Sequence, residues 1–181
     1  MLAVVAGPML VLYIRYRIMN CRMTGRERAD DWLLPPHANR CAGLISDMDI
    51  DKLAWICITG RRVLFARSRG RQTAYLPGGK REPGETDEAA LVREIREELT
   101  VRLVAGSLRL EGVFRAPADG QAPGAMVTLR CYAADFEGAM VDIRPSAEIE
   151  EILWYSHAER DRCSAAGQLV LDWLKECGRI N

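Results

Sequence analysis

The sequence lacks an excess of charge of either sign: 25 Lys and Arg balance 25 Asp and Glu over 181 residues. A chain with no net charge sets up no long-range steering field, so a nucleic-acid polymer, held mainly by many basic contacts to phosphate, is not indicated as its ligand. A single nucleotide is compatible with this balance, because a metal ion and a few Arg or Lys can meet its phosphates locally. Metal-binding cysteine patterns are missing too. Cys21, Cys41, Cys57, Cys131, Cys163 and Cys177 are scattered with no CxxC pair and no histidine at ligand spacing, which supports neither a zinc site nor a redox motif and suits reduced thiols in a cytoplasmic protein. The only histidines, His37 and His157, stand apart in polar surroundings and read as surface residues. The apolar run over residues 2–14 is broken by Gly7 and Pro8 and falls short of the ~20 residues that cross a bilayer. Its basic residues, Arg15, Arg17 and Arg22, follow the run instead of preceding it, so neither export nor a membrane role is expected. No internal repeat is visible.

What is present is ordinary for a globular domain: 49% hydrophobic and 28% charged residues. Residues 1–47 read as an N-terminal extension, apolar and then basic, closing on an irregular stretch with Pro35 and Pro36, and residues 48–178 as one domain. The informative stretch runs from Gly79 to Val101. Thr86 is placed to cap a helix, with Asp87 and Glu88 in a first turn that favours acids, and good helix formers follow. At 3.6 residues per turn, Glu94, Glu97 and Glu98 stand at i, i+3 and i+4 and share one side, while Val92, Ile95 and Leu99 form another that can be buried. Like charges so spaced repel and call for a compensating cation or Arg. Carboxylates with no cysteine or imidazole among them suit Mg2+, or Mn2+ in its place.

This stretch resembles the Nudix box: a Gly, five residues, a Glu, seven residues, Arg-Glu, an aliphatic, one residue, Glu-Glu, one residue, a Gly and an aliphatic. Gly79, Glu85, Arg93, Glu94, Ile95, Glu97, Glu98 and Val101 fall on it, and Thr100 stands where the family usually has the glycine that ends the helix. The resemblance implies an α/β fold, an alpha/beta/alpha sandwich with a mixed sheet. It implies a pyrophosphohydrolase acting on a nucleoside diphosphate linked to another group, with a nucleoside triphosphate, standard or oxidised, as the expected substrate. Nucleotide sugars and dinucleoside polyphosphates are the alternatives, and a nucleotide-sensing module without turnover is a third reading. Carried onto this chain, Glu94, Glu97 and Glu98 hold Mg2+ together with the backbone carbonyl of Gly78. Arg93 clamps Glu85 and the loop, Lys80 reaches a substrate phosphate, and Arg67, at the end of a strand before the box, faces the substrate. In MutT-type relatives a late carboxylate assists the metal or acts as base, which marks Glu148; Glu97 and Glu148 are the two candidates for the base. A homodimer is compatible with the sequence and not specified by it.

The flanking chain supplies the frame. Residues 53–59 (LAWICIT) and 63–68 (VLFARS) look like two strands of a hairpin about Gly60 and Arg61, and residues 108–116, 125–136 and 149–155 like three more strands. A loop over 117–124 with Gly120, Pro123 and Gly124 is placed to border the substrate. Residues 163–177 carry apolar side chains at 166, 169, 170, 173, 174 and 177, the stripe of a helix packed on a sheet.

Overall fold

The computed structural model describes residues 49–181; the apolar and basic extension read at 1–47 lies outside the described residues. Six strands and two α-helices follow in order: β1 (Asp49–Trp55), β2 (Ile58–Thr59), β3 (Arg62–Ser68), α1 (Asp87–Leu99), β4 (Arg109–Pro117), β5 (Met126–Ala133), β6 (Ile149–Tyr155) and α2 (Ala165–Glu176). They make two three-stranded sheets. One has the order β1-β5-β4, with β1 parallel and β4 antiparallel to β5; the other, β2-β3-β6, is antiparallel throughout.

The run read as one strand over 53–59 is therefore two. The chain leaves the first sheet after Trp55 and enters the second at Ile58, and only Ile58 and Thr59 pair with β3. Ile56, whose N–H donates to the carbonyl of Tyr132, and Cys57, whose carbonyl accepts from Leu64, carry the crossing. A continuous apolar run cannot distinguish one long strand from two that change partner, since both bury successive residues on alternate faces.

That alternation builds both layers of core. Leu53, Trp55 and Leu64 pack with Ala90, Leu91, Ile95 and Leu99 of α1. Ala54, Ile56, Val63 and Phe65 face the other way, onto Ala166, Val170, Leu171 and Leu174 of α2. Burying each of these larger side chains contributes about 1.5–3 kcal/mol. The α2 stripe is turned slightly from the expected one: Leu171 is wholly buried, whereas Leu169 is 37% exposed. Gly167 sets this orientation, because a Cβ there would press on the ring of Phe65 and the Cys163 sulfur. Cys57, Cys131 and Cys163 are buried, and burial pushes the Cys57 and Cys163 thiols up to about 12, so neither ionises at neutral pH; Cys177, read above with the reduced thiols, is instead disulfide-bonded.

Helix α1 begins as its sequence directs, with the Thr86 hydroxyl accepting from the Ala89 N–H. Its end is less ordinary. Thr100 takes the left-handed conformation (φ +63°) that glycine usually fills, while its N–H donates to Arg96. A β-branched residue is strained there, and its hydroxyl recovers only a 3.3 Å bond to the Asp142 carbonyl. Thr100→Gly is expected to stabilise the fold by about 0.5–1 kcal/mol, raising Tm by a few degrees in thermal unfolding; a fall in Tm would show that the hydroxyl outweighs the strain.

Candidate active site

The segment from Tyr75 to Gly79 positions the site because it is shared between the two sheets. Tyr75 pairs with Ala66 of β3 through both backbone bonds. Two residues on, the carbonyls of Pro77 and Gly79 accept from the Trp55 and Leu53 N–H groups on the free edge of β1. Gly78 lies between them at φ +133°, so close to β1 that a Cβ would collide with the Leu53 carbonyl. A Cβ on Gly79 would run into the carboxylate of Glu94. Gly78 thus lets the backbone lie against β1, and Gly79 lets it approach the acidic helix.

A cavity of about 530 Å3 opens beside this segment. Glu94 and Glu98 from α1 and Glu148 from the turn before β6 line it, and Lys52, Arg71 and Lys80 bring positive charge to the same space. Glu98 is only 8% exposed and accepts a 2.9 Å bond from the Gly78 N–H. Burial first, and then the charges of Glu148 and Glu94, push its carboxyl up to about 8, against the Gly78 N–H and Lys52, which favour the ionised form.

Arg93 does what its spacing suggests. It grips both oxygens of Glu85 at 2.8 Å, donates to Glu94 at 2.9 Å and to the Lys80 carbonyl at 3.1 Å, and so ties the loop to the helix. That fork holds the Glu85 carboxyl down at about 2, aided by the Glu82 N–H.

The three box glutamates do not share one environment. Successive helical residues are turned by about 100°, so Glu97 and Glu98 fall on opposite flanks of Glu94. Glu98 leans into the cavity. Glu97, with its side chain 58% exposed, lies 3.8 Å from Arg93 and borders a separate groove with Arg96 and Arg102. Arg67 is likewise committed elsewhere, to Glu150 at 2.8 Å, Glu151 at 3.0 Å and the Arg71 carbonyl at 2.8 Å, and is not among the residues lining the cavity. Lys52 and Arg71 line it instead. Lys52 left a faint trace in the sequence as the one cation at the start of an apolar run; Arg71, in a polar loop, left none.

Among the described residues no three Asp, Glu, His or Cys side chains are drawn together closely enough to hold a metal by themselves. The donor chemistry nevertheless fits a hard dication. Glu94, Glu98, Glu148 and the Gly78 carbonyl offer oxygen only, and a carboxyl raised first by burial and then by two neighbouring carboxylates is one that a cation would relieve.

Residues 52–171 match the family model described as the NUDIX domain. The chain belongs to the Nudix family. Solved structures of Nudix proteins share its fold. A putative Nudix hydrolase family member from Chromobacterium violaceum is 28% identical, with a TM-score of 0.53 over 71% of this chain and 77% of that one. The MutT Nudix hydrolase of Burkholderia pseudomallei is 23% identical, with a TM-score of 0.55 over 70% of this chain and 98% of that one. An ADP-ribose pyrophosphatase from Streptococcus suis, 16% identical, gives 0.51 over 70% and 87%. No curated protein matches the sequence. The Nudix chain is thus an enzyme of the pyrophosphohydrolase class, with the mixed-sheet α/β architecture of its relatives. No helix among its described residues is long and apolar enough to cross a membrane.

Proposed function

We propose that this Nudix hydrolase cleaves a nucleoside triphosphate to the monophosphate and pyrophosphate with Mg2+, or Mn2+ in its place. The observation that carries the reading is the cavity itself: Glu98, held by the Gly78 N–H, opens with Glu94 and Glu148 onto a space whose other walls bear Lys52, Arg71 and Lys80. Carboxylates facing cations across one cavity suit a dication and a polyphosphate that meet between them.

Glu94, Glu98 and the Gly78 carbonyl would hold the metal, which supplies charge neutralisation at the phosphate oxygens. Lys80 and Lys52 orient the phosphate chain and offset its charge. Arg93 touches no phosphate in this scheme; it fixes Glu94 and, through Glu85, the loop that places Gly78. Glu148 is the better placed of the two base candidates, because it borders the cavity while Glu97 sits beside Arg93. As base it would take a proton from the attacking water. Glu97 would help tune the site through Arg93.

Hydrolysis of a nucleotide sugar is the second reading, supported by the similarity to a structure named as an ADP-ribose pyrophosphatase. Incubation with a panel of nucleoside triphosphates and ADP-ribose, with products separated by ion-exchange chromatography, decides between them. Pyrophosphate and a nucleoside monophosphate from a triphosphate are expected. Cleavage of ADP-ribose alone, to two monophosphates, would overturn the primary reading.

A further inference from the structure

The loop joining β4 to β5 is exposed from Asp119 to Gly124, yet Asp119, Gly120 and Gln121 form part of the cavity wall. Its base is closed by two backbone bonds, Ala118 N–H to the Ala125 carbonyl at 2.9 Å and Ala125 N–H to the Ala122 carbonyl at 3.1 Å. Gly120 and Gly124 take positive φ; a Cβ at Gly124 would meet nothing within 4 Å and one at Gly120 only the end of the Arg71 side chain at 3.9 Å, so little packing holds the tip. Across the cavity mouth, the Tyr75 hydroxyl donates to the Asp119 carboxylate. Among the described residues, this is the side-chain hydrogen bond that ties the tip to the body of the domain.

We infer that the Tyr75–Asp119 bond is a latch that holds the loop tip in place as a wall of the cavity and thereby limits how large a nucleotide the site admits. Tyr75 is suited to this role. Its backbone is fixed to Ala66 by a pair of bonds, and it lies three residues before Gly78, so the latch and the acidic site hang on one rigid segment. Burial pushes its hydroxyl up to about 12, which keeps the proton on the donor at every working pH. A carboxylate acceptor makes the bond charge-assisted, the stronger kind. Tyr75 and Asp119 are positioning residues in this scheme: their effect reaches the substrate through the loop. The size limit rests on the nucleotide-hydrolase reading above, whereas the latch itself does not.

Hydrogen exchange on the full chain tests the latch without any substrate. Tyr75→Phe and Asp119→Ala are each expected to speed exchange at the Ala118 and Ala125 amides about tenfold. Asp119→Asn, which keeps an acceptor oxygen but loses its charge, should fall between wild type and these variants, and the double variant combining Tyr75→Phe with Asp119→Ala should exchange no faster than either single one. Unchanged exchange in both disrupting variants, or simple addition in the double variant, would overturn the latch. Kinetics then test the limit: the two disrupting variants should raise kcat/KM for a dinucleoside tetraphosphate relative to a nucleoside triphosphate about tenfold, through KM more than kcat. An unchanged ratio with accelerated exchange would reject the size limit. Absence of turnover on every nucleotide would reject the hydrolase reading and leave the exchange result to decide the latch.

Discussion

Replacing Glu98 by Gln should lower turnover by a factor on the order of 10^2 to 10^3 while leaving the fold intact. Glutamine keeps an oxygen for the Gly78 N–H, so the loop stays docked, and what is removed is a negative charge facing the cavity. Stability provides an independent reading of the same residue. The Glu98 carboxyl is raised by burial to about 8 from its ordinary 4.5, so between those values the native state binds more protons than the unfolded chain. Stability then falls with rising pH: the contribution is complete below about pH 4.5 and is lost as pH passes 8. In chelator-treated samples at pH 8, Glu98→Gln is expected to be more stable than wild type by up to about 4 kcal/mol, the difference fading toward pH 4.5. Millimolar Mg2+ should raise the Tm of wild type and leave the variant nearly unmoved. Wild-type turnover in the variant, or a Tm that ignores Mg2+ in both proteins, would remove Glu98 from the metal site.

Gly78→Ala should be the most damaging small substitution in the domain. A methyl group there must occupy the space of the Leu53 carbonyl, and the backbone at φ +133° is one that side-chain-bearing residues rarely adopt. The segment has to lift from β1, which puts at risk the bonds to Leu53 and Trp55 on one side and to Glu98 on the other. The expected loss is about 3 kcal/mol or more, a drop in Tm of roughly 10 °C for a domain of this size. Activity should fall further than the unfolded fraction explains, since even molecules that fold have a displaced site. A comparison of thermal unfolding with turnover, both at a temperature where the variant is folded, checks this. Gly124→Ala is the contrast: also at positive φ (+92°) but with open space around it, it should lose only about 1–2 kcal/mol.

The local chemistry of the site is legible in the linear chain. Thr86 caps α1 where capping residues belong, and the eight-residue separation of Glu85 and Arg93 brings their ion pair together. These are short-range matters, set by helix pitch and side-chain type, and a linear pattern holds all of that information. Thr100 shows the limit of a pattern match: it breaks the family's glycine and still adopts the glycine's conformation, because the N–H to Arg96 and the turn toward Asp142 hold it there.

What the sequence alone determined was the box, the helix it feeds, the apolar alternation that covers the sheets on both sides, and the chemical kind of ligand that clustered carboxylates suit. Tertiary structure decided where β1 leaves one sheet for the other, that Glu98 is buried while Glu97 faces out beside Arg93, and that Lys52 and Arg71 border the cavity where Arg67 was expected. Each of these depends on residues far apart in the chain meeting at one place. Arg67 is drawn to Glu150 and Glu151 because β3 and β6 pair in antiparallel register, and no spacing within either strand records that register.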